Sequence, residues 1–324
     1  MAQVFFSRPS FIPSPLFKMM RSVGFQAVDM HFHTEYSMDA VSDIRAVLAR
    51  CRTRGYGVAI TDHNDIRGAL KAWNMKRDEF IVPGIETSTK EGAHTLYYFY
   101  DAKDLQRFYN GVIQPLRKKN PFFLPISIDA LMEKAKGYNA VVSAAHPYGV
   151  GNIGIKKVHL NGGLKRVKHL FQLAEGLNGA NLRKLNKKSI SWARFIDKEL
   201  TAGSDGHMTR ELGNALTLAY GYDAESFLKS VKKGYSVLLG KERNIFLTLI
   251  RETRKEKNYL KRAHQAGNGW LWIKAHIKKE DAEMEALQKK VEKQELHENY
   301  LLHHFGVGNE DYKHYLKLGE GLFK

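Results

Sequence analysis

One cysteine in 324 residues, Cys51, excludes an intramolecular disulfide and a thiolate-rich zinc site, and it suits a reducing cytoplasm. No run approaches the ~20 consecutive apolar residues of a membrane span, so a soluble, cytoplasmic protein with no membrane partner is expected. The opening Met1-Ala2-Gln3-Val4-Phe5-Phe6-Ser7-Arg8-Pro9 lacks the basic region, long apolar core and small-residue cleavage site of a secretory signal. Residues 1–24 therefore read as a tail or an added strand. No internal repeat of fixed period stands out, which argues against a repeat array. Acidic residues are the scarcer charge: 34 Asp and Glu against 51 Lys and Arg leave +17, a balance that favours anionic or polyanionic partners.

What is present is a chain with 43% hydrophobic and 11% aromatic residues, long enough for a large core. Barrels of alternating strands and helices commonly form one domain of about 200–250 residues, so one main domain with extensions is expected. Its organising stretch is Asp29-Met30-His31-Phe32-His33-Thr34-Glu35-Tyr36-Ser37-Met38-Asp39. Residues two apart on a strand face the same way, so His31 and His33 project together while Phe32 packs behind. Asp39, past the strand end, can return over them as an oxygen ligand.

The pattern then repeats. Ile44, Val47 and Leu48 recur at helical spacing, and Arg54-Gly55-Tyr56-Gly57 closes that helix. Val58-Ala59-Ile60-Thr61 predicts a strand running into Asp62-His63. After a helix-like stretch over 66–78, the apolar run from Phe80 finishes on Glu86. Aromatic, β-prone residues follow His94, which places it at a strand start. Residues 101–137 read as helical and basic, with Arg117-Lys118-Lys119 as a solvated face. Residues 138–145 form another buried strand, tipped by His146-Pro147. The chain returns at Leu173-Ala174-Glu175-Gly176-Leu177-Asn178, where Asn178 could donate a supporting hydrogen bond. Asp205 and His207 then stand two apart at a further strand end, Ala215–Tyr220 reads as the final strand, and residues 224–233 read as a closing helix. In α/β barrels, chemistry gathers at the C-terminal ends of the strands.

The glycines of Tyr148-Gly149-Val150-Gly151-Asn152-Ile153-Gly154 match no dinucleotide or Walker spacing. Their loop leaves a His-tipped strand, however, and continues into Lys156, Lys157, Lys165, Arg166 and Lys168. With Arg210, these are candidate phosphate guides. Residues 151–200 hold eleven Lys or Arg and three Asp or Glu, nearly half of the net charge. From residue 241 the composition becomes densely charged with roughly heptad apolar positions, so residues 241–324 read as an appended helical segment around a 25–240 barrel.

The strand-end set is His31, His33, Asp39, His63, Glu86, His94, His146, Asp205 and His207, six imidazoles and three carboxylates. Such donors without thiolate suit zinc, manganese or iron better than calcium. Three ions sharing bridging groups would use about nine protein ligands, whereas one would leave most unexplained. Neighbouring cations can clamp a phosphoryl group and generate a hydroxide near neutral pH, so phosphoester hydrolysis is expected.

This order, His-X-His, Asp six residues later, Asp-His, Glu, His, His-Pro and Ser-Asp-Gly-His, resembles the polymerase and histidinol phosphatase (PHP) superfamily over residues 25–240. One departure is Met38 preceding Asp39, where many members have Ser-Asp-Gly directly. The resemblance implies an α/β fold, a distorted seven-stranded β/α barrel similar to a TIM barrel, with a trinuclear metal centre. It implies a first ion on His31, His33, Glu86 and Asp205, a second on Glu86, His94 and His146, and a third on Asp39, His63 and His207. It also implies that Asp62 orients or neutralises the site without ligating, and that Asp205 or His207 serves in proton transfer. The expected activity is that of a phosphatase or nuclease on nucleotides or single-stranded nucleic-acid ends. The alternatives are a small-metabolite phosphatase such as one for histidinol phosphate, and a non-catalytic binding module, which would be expected to have eroded ligands.

Overall fold

The apolar runs of the sequence become strands buried on both faces, as a sheet flanked by helices requires. The computed structural model describes residues 2–117, 123–149, 154 and 169–241. The chain divides into two units, Met1–Trp270 and Leu271–Lys324, and every described residue belongs to the first. The segment expected to be helical after Lys241 lies outside the described residues, as do Lys156, Lys157, Lys165, Arg166 and Lys168.

The strands are β1 (Gln3–Phe5), β2 (Phe25–Phe32), β3 (Gly57–Ile60), β4 (Ile81–Ser88), β5 (His94–Tyr98), β6 (Val141–Ala144), β7 (Leu173–Asn178), β8 (Glu199–Gly203), β9 (Ala215–Tyr220) and β10 (Ser236–Gly240). They form one sheet in the order β1-β10-β9-β2-β3-β4-β5-β6-β7-β8. Strands β2, β3 and β4 run parallel, β5 returns antiparallel as a hairpin on β4, and β6, β7 and β8 run parallel again. Six strands of this β2–β8 arc thus end on the same side. The arc is a distorted α/β barrel of the expected type, and the reversed β5 is one source of its distortion.

Strand β8 meets β2 without a regular ladder. Instead, Asp205 N donates to His31 O at 2.7 Å and His33 N to Gly206 O at 2.9 Å. Gly203 permits this approach, because a Cβ there would overlap the His31 Cβ and stand 2.5 Å from its backbone nitrogen. Beyond β2 the sheet continues through antiparallel β9 and β10 to β1, which lies parallel to β10. Ala215–Tyr220 is therefore not the last strand. Gly234, at φ +75°, turns the chain after the preceding helix, and the β-prone Ser236-Val237-Leu238-Leu239 pairs back on β9.

Helices α1 (Ser14–Ser22), α2 (Ile44–Arg54), α3 (Arg67–Met75), α4 (Ala102–Phe108), α5 (Gln114–Arg117), α6 (Ile128–Ala135), α7 (Arg183–Phe195) and α8 (Ala224–Lys232) accompany the sheet. In α2, Asp43 caps the amides of Arg45 and Ala46 at 2.9 and 3.2 Å, and Gly55 at φ +78° ends the helix. Its Ile44, Val47, Leu48 and Cys51 are buried, each large apolar side chain contributing about 1.5–3 kcal/mol. Burial pushes the Cys51 thiol well above its ordinary pKa, so it acts as core filler. Arg117 is not the solvated residue expected: its Nη2 stands 2.9 Å from Oδ2 of buried Asp65, a partner 52 residues away. Among the described residues, no helix is long and apolar enough to cross a membrane.

Candidate metal centre

The end of β2 and the residue just past it deliver His31 and His33, both wholly buried, with their Nε2 atoms 3.1 Å apart. The outer ring nitrogens settle the tautomers. His31 Nδ1 faces Glu175 Oε1 at 3.1 Å, a carboxylate that only accepts. His33 Nδ1 faces Ser37 Oγ at 3.1 Å, and that hydroxyl spends its proton on Asp62 Oδ1 at 3.0 Å. Both Nδ1 atoms are therefore donors, and in the neutral rings two Nε2 lone pairs point at one another. Glu86 Oε2 stands 3.3 Å from each, and Asp205 Oδ1 stands 3.4 Å from His33 and 3.9 Å from His31. With both rings neutral, as metal ligation requires, four donor atoms converge on one point and fit a cation.

Glu86, at the fully buried C-terminal half of β4, is the hub. Its Oε1 lies 3.0 Å from His94 Nδ1 and 3.1 Å from His146 Nε2, while its Oε2 also lies 3.0 Å from His63 Nδ1. That last contact is misaligned for hydrogen bonding, and both atoms are left without a hydrogen-bond partner although buried. Each is thus free to aim at a common third point. On the other side of His63, Asp39 Oδ2 stands 3.6 Å from its Nε2 and 2.7 Å from His207 Nε2. Metal bonds of about 2.1 Å meeting at tetrahedral or octahedral angles leave donor atoms about 3.0–3.4 Å apart, the spacing that recurs here. His31-His33-Glu86, His33-His63-His207 and His63-Glu86-His94 each bring three such atoms within 4.8 Å of one another.

Of the five described non-glycine residues in the left-handed backbone region that costs such residues energy, three lie at the centre: Asn64 (φ +50°), His146 (φ +24°) and Asp205 (φ +48°). They follow the ends of β3, β6 and β8, where Asn64 adjoins His63 and the other two are themselves among the donor residues. The side chains of His63, Asp205 and His94 are the most exposed, at 17%, 11% and 10%, so the site opens on their side.

The electrostatics divide the imidazoles. Burial holds His94 down to about 4, and burial with repulsion from His207 and His63 holds His33 well below its ordinary value, so both are neutral and ready to ligate. At His63, burial is outweighed by Glu86 and Asp39, and its pKa rises to about 10. Likewise, Glu86, Glu175 and Asp205 overcome burial at His31 and raise it well above the usual range. Burial opposes ionisation of Glu86, but His31, His94 and His63 keep it a carboxylate. Without metal, these shifts favour protons on His31 and His63, which offset part of the buried carboxylate charge.

Asp62 does not face the other donors. Its oxygens accept Thr34 N at 2.6 Å, Thr34 Oγ1 at 2.7 Å and Ser37 Oγ, and burial pushes its pKa up to about 6. It fixes the serine that fixes His33. Three further carboxylates escaped the sequence reading. Glu175 receives His31 at Oε1, and His146 N (2.8 Å) and Asn178 Nδ2 (3.0 Å) at Oε2. Glu211 Oε2 accepts the His207 amide at 2.8 Å. Asp29 accepts Ser204 N and Gly213 N, both at 2.8 Å. A lone carboxylate inside an apolar strand was the available signal for Glu175. Asn178 also reaches Asp205 Oδ2 at 3.4 Å. Arg210 is exposed on the turn Thr209–Glu211, its carbonyl accepting from Arg50 Nη2 at 3.1 Å.

The PHP domain family model matches residues 29–212. No curated protein matches the chain. Among solved structures, it is similar to a two-domain protein containing a predicted PHP-like metal-dependent phosphoesterase from Bacteroides vulgatus ATCC 8482, at 12% identity and TM-score 0.50 over 67% of this chain and 65% of that one. It is also similar to PsfC from Pseudomonas syringae PB-5123, at 13% identity and TM-score 0.51 over 72% and 99%. A third is endonuclease Q complexed with a 27-mer duplex carrying an abasic lesion at the active site, at 16% identity and TM-score 0.52 over 67% and 60%. The chain thus spans less than two thirds of the Bacteroides protein and of endonuclease Q, and at these identities the likeness is one of fold. The family model covers more than half of the chain, from Asp29 on β2 through Asp205 and His207, and on that ground the chain belongs to the PHP domain family.

Proposed function

We propose that the chain is a metal-dependent phosphoesterase that hydrolyses phosphate esters of nucleotides or nucleic-acid ends. His31, His33, Asp39, His63, Glu86, His94, His146, Asp205 and His207 would hold up to three divalent ions of zinc, manganese or iron, with Glu86 bridging. The observation that carries this reading is the convergence of His31 Nε2 and His33 Nε2 with the carboxylate oxygens of Glu86 and Asp205, beside buried donor atoms of Glu86 and His63 that lack hydrogen-bond partners. Bound divalent ions supply charge for the phosphoryl oxygens and acidify water. The chain's own groups do the rest. Wholly buried His31, His33 and Glu86 form the floor and keep bulk water from it. Asp62, through Ser37, keeps the Nε2 lone pair of His33 directed inward. Asp205, on the open side, and His207, whose Nδ1 lies 3.6 Å from Asp205 Oδ1, are the groups we assign to proton transfer. Lys156, Lys157, Lys165, Arg166 and Arg210 are the proposed electrostatic guides for the substrate.

The test is hydrolysis by the manganese-loaded protein of a mononucleotide and of a short 5′-phosphorylated single strand, at low and moderate salt. Salt-sensitive release of nucleotides from the strand identifies a nuclease, because polyanion binding weakens as counterions are released. Phosphate release from the mononucleotide alone identifies a phosphatase. Asp205→Ala and His33→Ala should each abolish turnover of a generic phosphoester with the circular dichroism spectrum retained. Activity surviving both would refute the proposal.

A further inference from the structure

A second group of charges stands beside the centre and holds none of its donors. Asp65, two residues past His63 and thus within about 7 Å of it along the backbone, is wholly buried. Arg67 forks onto it, with Nε 3.1 Å from Oδ1 and 3.0 Å from Oδ2, and Nη2 2.7 Å from Oδ2. Arg117 reaches the same Oδ2 at 2.9 Å. Two guanidiniums therefore share one carboxylate, which leaves net positive charge, and the Arg67 side chain is 63% exposed.

The aromatic support comes from the loop that follows β2. Arg67 Cζ lies 5.0 Å and Lys71 Nζ 5.5 Å from the centroid of the Tyr36 ring, and Lys71 also meets Glu35 Oε1 at 3.2 Å. Arg67 and Lys71 are four apart on α3 and so share a face. Tyr36 directly precedes Ser37, which touches His33. Helix α3 is seated hard on this loop, since a Cβ at Gly68 would overlap Asp62 Oδ2 and stand 2.5 Å from Thr34 Oγ1. An arginine ordinarily gives up about 2 kcal/mol of rotamer freedom when a ligand immobilises it. Here the Asp65 fork and the Tyr36 face have fixed Arg67 beforehand, with three of its five N–H groups directed away from the carboxylate. One guanidinium would suffice to neutralise Asp65.

We infer that Arg67 and Lys71, held by Asp65 and Tyr36 and backed by Arg117, form a subsite for the backbone phosphate adjoining the ester that is cleaved, so that the substrate is a nucleic-acid strand. This rests on the phosphoesterase reading above. A fixed guanidinium offers paired N–H donors to phosphate oxygens, and the neighbouring ammonium adds a point charge.

The experiment uses the manganese-loaded full chain and the variants Arg67→Ala, Lys71→Ala and the double variant. Each is assayed on a short 5′-phosphorylated single-stranded DNA and on p-nitrophenyl phosphate, which carries a single phosphate. Binding of the fluorescently labelled strand is measured against salt. The KM for the strand should rise roughly tenfold or more in Arg67→Ala, as expected for loss of a charged hydrogen bond. The slope of log affinity against log salt should fall by about 0.7 per cation removed. Turnover of p-nitrophenyl phosphate should stay unchanged. Lys71→Ala removes only a surface contact and keeps the test valid if Arg67→Ala folds poorly. Equal losses on both substrates, or an unchanged salt slope, would overturn the subsite and leave a purely structural tie. Absence of hydrolysis by the unmodified protein would overturn the phosphoesterase reading instead, while the strand-binding isotherms would still decide the subsite.

Discussion

Replacing Glu175 by glutamine should damage metal binding more than replacing it by alanine. Glu175 Oε2 receives two N–H donors, His146 N at 2.8 Å and Asn178 Nδ2 at 3.0 Å. The Asn178 amide cannot turn around, because its Oδ1 already accepts Ala180 N at 2.8 Å and Asn181 N at 3.2 Å. A glutamine must therefore set its oxygen where Oε2 now lies and present its NH2 to His31 Nδ1. His31 can accept that bond only by moving its own proton to Nε2, the atom that faces His33, Glu86 and Asp205. The lone pair needed by a metal is then lost. Exchanging a charged for a neutral acceptor costs about 1 kcal/mol, and loss of such outer partners typically costs 10–100-fold in metal affinity, about 1.4–2.7 kcal/mol. Alanine imposes no tautomer and leaves space for water, so its loss should lie at the low end. Chelator-competition titrations with Mn²⁺ at pH 7.5 on the three proteins would measure this, with thermal melts to confirm folding. A glutamine variant within twofold of the unmodified affinity, or one that binds better than alanine, would refute the tautomer argument.

Two further outcomes follow from the same geometry. Loading the metal-free protein should release protons: His63, raised to about 10, is protonated at pH 7.5 and must give up its proton to ligate, whereas His94, lowered to about 4, has none to give. Metal affinity should accordingly climb with pH through the neutral range, and calorimetry in buffers of differing ionisation enthalpy should register net release of at least one proton; uptake or no exchange would contradict the charge assignment. Gly203→Ala should cost about 1–3 kcal/mol as an overpacked contact, because the new Cβ meets the His31 backbone, and it should weaken metal binding along with the melting temperature. A variant that melts lower yet binds metal normally would mean that β8 yields without moving His31.

The donor types and their order along the chain are legible without any tertiary information. Strand alternation is local, so His31 and His33 had to share a face, and polar residues capping apolar runs had to lie at strand ends, whatever the rest of the chain did. The buried face of α2 and its glycine stop were legible for the same reason. How those ends converge, and what stands behind them, is set by long-range packing. Glu175 reads as one carboxylate in an apolar strand until His31, 144 residues earlier, is brought against it. Arg117 reads as a solvated cation until Asp65 appears beneath it, and β10, although β-prone, takes its place in the sheet only from its pairing with β9 and β1. Asp29 and Glu211 likewise acquire their roles from the amides that fold over them. Burial is the physical reason: removed from water, each polar group must find a partner or incur a desolvation cost, and that partner is set by how the sheet closes.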